Sequence, residues 1–333
     1  MQPSRSLAAM LPAPGKYAKM DKIDAPAQRD ISLKEVFEVI HDEFALYFTS
    51  IDVKRRTCIN DAWKRLGLFW RVDTTLDYSK CESQNCLFFE PLGPHTQTVV
   101  FLHGRDSTAK EFARELFEST DSDECNLQEA LPGVKWVFPI APVTHYARYG
   151  VHMSQWFDMQ TTQDPHQGET EQDPTPSIDI IHHQLLKEAA IVGWQNVILA
   201  GISQGAAVGI HALLKRPHKL GGFIGLNTWL PRPKTIEGAE SRWPASVQTP
   251  VMLEHTREDP IVYMTYGEEL ASSLEKSGMD VEWHDYRTED GVSAHWVNEP
   301  EGVDHIVQFV KRVGNSQSSS GVPTSSYTST RSF

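Results

Sequence analysis

Gly201-Ile202-Ser203-Gln204-Gly205 sets a serine between two glycines, after an apolar run and before a small-residue segment. A serine presented on a sharp strand-to-helix turn exposes its hydroxyl for nucleophilic attack. The strained backbone of such a turn leaves no room for side chains two residues to either side. Gly201 and Gly205 meet that demand, since glycine carries no Cβ. Upstream, Asn196 to Ala200 reads as a buried strand; downstream, Ala206 to Leu214 reads as a helix whose small residues permit close approach to a sheet. The chemistry this pattern predicts is acyl transfer through a covalent intermediate.

A serine hydroxyl at neutral pH needs an imidazole to take its proton, and the imidazole needs a carboxylate to fix its tautomer. With a nucleophile on such an elbow, the acid and then the histidine follow it in the chain, each on a loop after a later strand. Of the fourteen histidines, only His284, His295 and His305 follow a suitable acid. His284 falls inside a predicted strand and His305 inside the last predicted helix, whereas His295 lies in the loop Gly291 to Trp296, which makes it the expected base. The strand Pro250 to Glu254 exits through His255-Thr256-Arg257-Glu258-Asp259-Pro260, which offers Glu254, Glu258 and Asp259 as acids. Asp259, stiffened by Pro260, is the choice; Glu258 beside Arg257 reads equally well as a solvated charge, and a surface role for both stays open.

The tetrahedral oxyanion needs N–H donors, one from the residue after the nucleophile and one from the loop after an early strand. Gln204 and Arg105 occupy those positions, the latter in Leu102-His103-Gly104-Arg105. The His103 ring reads as a structural hydrogen-bonding group. Trp156 and Phe157 could line an acyl pocket or belong to the core. No cofactor and no metal is expected.

The elements that must position these groups alternate from Leu87 onward. Strands are predicted at Thr98 to Leu102, Val134 to Phe138, Phe223 to Leu226, Pro250 to Glu254 and Val281 to Tyr286. Helices are predicted at Ala109 to Glu118, Ser177 to Ala190, Tyr266 to Lys276 and Glu301 to Val313. The alternation is that of a doubly wound, mostly parallel α/β sheet with helices on both faces. Residues 1–30 mix proline, alanine and charge and are expected to lack fixed structure. Residues 31–86 read as a helical extension, with a capping box at Ser32 and Glu35 and a second short helix from Ile59 to Leu68. Thr161 to Pro176 is a polar surface excursion, and 314–333 a Ser/Thr-rich tail.

At 333 residues and 40% hydrophobic content the chain can bury a substantial core. A net charge of -13 without a basic stripe argues against nucleic acid and against an electrostatic hold on anionic membranes. Four cysteines without a completed zinc pattern suit reduced thiols and a cytoplasmic location. Prolines and the charged stretch Lys16 to Lys22 interrupt the apolar run Leu7 to Leu11, so no secretory signal is expected, and no segment is apolar enough to span a bilayer.

Phe101 to Gly104, Ala141-Pro142-Val143, Ser154 to Asp158, Gly201 to Gly205, Trp229-Leu230-Pro231 and Asp259 to Val262 together resemble the acyl-protein thioesterase, lysophospholipase and carboxylesterase family. The resemblance covers Leu87 to Val313. It implies an α/β-hydrolase fold and a serine hydrolase of esters or thioesters of acyl chains, on acylated proteins or lipids. It also implies Ser203 as nucleophile, Asp259 as acid, His295 as base, and the Arg105 and Gln204 amides as oxyanion hole. The chain departs from the family where a second glycine usually follows the His-Gly pair: here it has Asp106. It departs again in the long polar loop from Met159 to Ser177. A binding protein without turnover, and a peptidase or lactone hydrolase on the same scaffold, are the competing readings.

Overall fold

Apolar runs in this chain too short and too uniformly buried for amphipathic helices become the strands of one sheet. The computed structural model describes residues 82–83, 86–161, 164–168, 173–288 and 294–318. The expected helices at 31–86, the 1–30 segment and the end of the tail lie outside the described residues, apart from the first strands below.

The strands are β1 (Glu82–Ser83), β2 (Cys86–Phe89), β3 (Gln97–Leu102), β4 (Val134–Pro139), β5 (Val143–Tyr146), β6 (Val151–Ser154), β7 (Val197–Ile202), β8 (Gly222–Leu226), β9 (Val251–Thr256) and β10 (Val281–Tyr286). The α-helices are α1 (Ala109–Leu116), α2 (Leu127–Ala130), α3 (Thr175–Val192), α4 (Gln204–Leu214), α5 (Ala239–Arg242), α6 (Met264–Lys276) and α7 (Glu301–Ser318). Eight strands form the main sheet in the order β1-β2-β4-β3-β7-β8-β9-β10. Its pairings from β4 to β10 are parallel, and β1 and β2 add an antiparallel edge. Strands β3, β7, β8 and β9 are buried along their whole length, as strands covered on both faces must be.

Two apolar layers sandwich the sheet. Ile181 and Leu185 of α3, the α4 residues and Leu270 of α6 fill one, while Phe112 of α1, Leu127 of α2 and Ile306 and Phe309 of α7 fill the other. This is the α/β-hydrolase architecture, and several predicted elements extend further than the apolar pattern indicated. Strand β9 continues through His255 and Thr256, because their backbones still pair with Asp285 and Tyr286. Helix α7 runs past Val313 to Ser318, where Gly314 comes against the Gln97 side chain; Gln97 Nε2 also donates to the Val310 carbonyl. The hairpin β5–β6 had no signature in the sequence, since Val143 and Val151 are exposed and no apolar alternation marks it.

Chain order reverses direction in the sheet between β3, which leads to β4 on one side, and β7 on the other. Their carboxyl ends flank the crevice where doubly wound sheets place their ligands. Gly104 and Arg105 follow β3 there, and Ser203 follows β7.

Candidate active site

Ser203 has φ 53° and ψ −125°, an uncommon conformation for a residue with a side chain. The two glycines make it possible: a Cβ on Gly201 would fall 2.5 Å from the Ala206 nitrogen, and one on Gly205 2.4 Å from the Leu102 carbonyl oxygen. The Ser203 N–H donates to the Leu226 carbonyl at 2.9 Å, and the Ser203 carbonyl accepts from the Thr228 hydroxyl at 2.8 Å. The elbow is therefore clamped from β8. The Gln204 side chain secures it from the other side, its Oε1 accepting from the Trp156 amide and its Nε2 donating to the Phe157 carbonyl.

Asp259 is buried, and its side chain receives three hydrogen bonds. Oδ1 accepts from the Ile261 and Val262 amides at 2.8 and 3.0 Å, and Oδ2 accepts from His295 Nδ1 at 2.7 Å. With Nδ1–H engaged, the His295 tautomer is fixed and Nε2 is left as the basic nitrogen. His295 and Ser203 line one cavity of about 360 Å³ together with Arg105 and Gln204. Among the described residues no hydrogen bond joins the Ser203 hydroxyl to His295; before substrate is seated such contacts are often long. His255 is a second imidazole near the acid, its Nε2 3.7 Å from Asp259 Oδ2. Burial lowers its pKa, and Nε2 is held by the Val262 carbonyl at 2.9 Å, so it is neutral and closed off from the cavity.

The other candidate acids separate cleanly. Glu258 is exposed and accepts from the Thr288 amide, while Arg257 pairs with Asp285 instead. Glu254 lies inside β9, buried and without an ion-pair partner among the described residues. His284 and His305 stack on each other in β10 and α7, with ring centroids 3.9 Å apart.

The Arg105 and Gln204 amides have no acceptor among the described residues, so two N–H donors stand free beside the elbow. The loop that carries Arg105 is shaped by Asp106, which takes φ 62° and donates its N–H to the Ser154 carbonyl at 2.8 Å. Aspartate is among the few residues with a side chain that adopt this left-handed conformation with tolerable strain, so the turn survives without the glycine usual in the resembling family. His103 is structural, as read from sequence. Its Nδ1–H donates to the Gly104 carbonyl, Nε2 accepts from the Ala141 amide, and burial lowers its pKa so that the ring is neutral.

Trp156 and Phe157 are core residues, and neither lines the Ser203 cavity. The Trp156 indole N–H is committed to the His103 carbonyl, and Phe157 packs edge-on against Trp229. The apolar walls include Met153, Met159, Trp229 and Ile261 instead. Sequence reasoning also passed over Asn227. At φ 45°, its N–H donates to the Glu254 carbonyl, its Oδ1 accepts from the Thr256 amide, and its Nδ2 donates to the Trp296 carbonyl at 2.7 Å. One side chain thus ties the strand before Asp259 to the residue after His295. The only signal in the sequence was an asparagine at the end of a strand, where left-handed backbone is common.

A profile of the phospholipase/carboxylesterase family matches residues 86–311. Acyl-protein thioesterase 1 of Gibberella zeae is 30% identical over 232 residues, which cover 68% of this chain and 94% of that protein. The protein of the same name from Schizosaccharomyces pombe is 29% identical over 180 residues, 54% of this chain and 75% of its own length. The crystal structure of Zea mays acyl-protein thioesterase 2 superposes with a TM-score of 0.56 at 22% identity, covering 69% of this chain and 98% of the other, a likeness of fold. No helix among the described residues is long and apolar enough to cross a membrane. The chain belongs to the phospholipase/carboxylesterase family, and is a serine esterase of the α/β-hydrolase fold.

Proposed function

We propose that Ser203, His295 and Asp259 form the catalytic triad, and that the enzyme cleaves esters or thioesters of acyl chains in the cytoplasm, with acylated proteins or lipids as the natural substrate class. The observation that carries this reading is the buried Asp259 carboxylate holding His295 Nδ1 at 2.7 Å, with His295 and the strained Ser203 on the wall of one cavity. The relatives named acyl-protein thioesterase support the acyl-chain and thioester part.

In this reaction His295 Nε2 takes the proton of the Ser203 hydroxyl as its oxygen attacks the carbonyl carbon. Asp259 stabilises the imidazolium that forms. The Arg105 and Gln204 amides receive the charge on the carbonyl oxygen. Collapse expels the alcohol or thiol, which takes the proton from His295, and leaves an acyl-Ser203 ester. Water then attacks that ester with His295 again as base, releasing the carboxylic acid and restoring the serine. The catalytic unit runs from β1 through α7, because β1 and β2 pair into its sheet, and the segment before β1 is an accessory extension.

The test is labelling by a fluorophosphonate, together with turnover of p-nitrophenyl esters and S-acyl peptides of increasing chain length. Wild type should label and turn over, and Ser203→Ala should lose labelling and about 10⁵-fold or more in kcat. Labelling that persists in Ser203→Ala overturns the assignment. A flat, low profile across chain length overturns the acyl-chain substrate.

A further inference from the structure

Arg105 stands where two cavities meet. It lines the Ser203 cavity, and with Tyr146, Arg148 and Tyr149 it lines a second, of about 390 Å³, on the side of the β5–β6 hairpin; Met153 also borders both. Its guanidinium carbon sits 4.9 Å from the centroid of the buried Tyr146 ring. No ion pair reaches it among the described residues, and its Nη1 is buried without an acceptor. A guanidinium stays charged at any pH the protein meets, so a partly desolvated one without a carboxylate partner is costly. The face of Tyr146 compensates only part of that cost.

The remaining charged side chains at these cavities do not neutralise it. Asp106 and Glu115 are exposed to water, and Glu115 pairs with Arg114 at 3.5 Å. Arg148 is exposed, donates to the Gln160 carbonyl at 2.9 Å, and adds a second positive charge on the hairpin side. His295 is already committed to Asp259. What the junction lacks is an anion, and a substrate lying across it from Ser203 is placed to supply one.

We propose that the Arg105 side chain is a subsite for a carboxylate or phosphate group carried by the substrate. The preferred esters or thioesters then bear a fixed negative charge no farther from the scissile carbonyl than an arginine side chain reaches. Arg105 serves twice, its amide toward the transient oxyanion and its guanidinium toward the permanent one. Because the permanent charge is present in ground and transition state alike, its recognition acts mainly on KM. The proposal rests on Ser203 being the nucleophile.

Two substrate pairs test it and separate the two sources of charge. One is mono-p-nitrophenyl glutarate against its methyl ester, with the carboxylate on the acyl side. The other is hexanoyl-glycerol phosphate against hexanoyl-glycerol, with the phosphate on the leaving group. Wild type should favour the anionic member of at least one pair by about tenfold in kcat/KM, mostly through KM. Arg105→Leu should bring that ratio close to one, and Arg105→Lys should keep part of it. A wild-type ratio near or below one in both pairs overturns the proposal without any variant, as does a preference that survives Arg105→Leu. Turnover of the neutral esters by wild type, and its loss in Ser203→Ala, reports separately on the nucleophile.

Discussion

Strand β9 carries one buried carboxylate inside the sheet and delivers another at its exit, and the two are equally inaccessible: Glu254 and Asp259 are each 3% exposed. Their surroundings are opposite. Asp259 accepts two backbone amides and an imidazole N–H, partners that satisfy and direct a buried carboxylate. Among the described residues neither Glu254 oxygen accepts a backbone amide or an imidazole N–H; its polar neighbour is the Tyr286 hydroxyl, which also lies 2.7 Å from His305 Nδ1. Burial pushes the Glu254 pKa well above its ordinary 4.5, which favours its neutral form. Depth of burial therefore says nothing about which carboxylate can serve an imidazole. The partners decide it, and they come from turn geometry: the Asp259-Pro260-Ile261-Val262 turn points two amides back at its own first side chain.

The sharpest way to break this comparison is to neutralise each carboxylate in turn. Asp259→Asn should lower kcat by about 10⁴-fold on any ester the enzyme hydrolyses, because the amide cannot hold His295 in the required tautomer. Glu258→Gln, changed on the exposed neighbour, should leave kcat within about twofold. Equal losses in Asp259→Asn and Glu254→Gln would remove the distinction between the two buried sites.

Asn227 links the two halves of the comparison, since its backbone bonds to Glu254 and its side chain joins Thr256 to Trp296. Asn227→Ala should let the His295 loop drift relative to the strand that carries Asp259. The expected result is a loss of roughly tenfold to hundredfold in kcat with KM held within about threefold. A parallel rise in KM would show instead that the residue shapes the substrate walls.

The smallest effect is on stability. The unfolded chain releases the Glu254 proton near 4.5, whereas the folded chain retains it to higher pH, so stability falls as pH rises from about 4.5 toward the raised folded value. Glu254→Gln keeps the shape and removes the titration. Its melting temperature should match wild type near pH 4.5 and exceed it by about 2–4 °C near pH 8, for roughly 1 kcal/mol of relieved cost. A melting difference that does not change with pH would mean that Glu254 is already ionised in the fold.

Chain order and local sterics singled out Ser203 on its elbow, Asp259 and His295 as the candidate nucleophile, acid and base before any tertiary contact was known, and the structure brings Asp259 and His295 together. Gly201 and Gly205 announce a turn that tolerates no Cβ, and only one histidine after the acid loop lies outside a regular element. These are short-range properties, written in spacing and residue type. The strand and helix centres are legible for the same reason, and their ends are not, because β9 and α7 are prolonged by pairing and packing with distant partners such as Asp285 and Gln97. Whether two adjacent aromatics face a cavity or the core, whether Asp106 can replace a glycine, and where a lone arginine finds no counterion are decided between segments far apart in the chain. Trp156 turns inward because the His103 carbonyl claims its N–H. Arg105 stays unpaired because Tyr146, brought over it by a hairpin with no apolar signature, offers a ring face in place of a carboxylate. Local sequence thus determined the chemistry this protein can perform, and long-range packing decided the shape and charge of the surface on which it is performed.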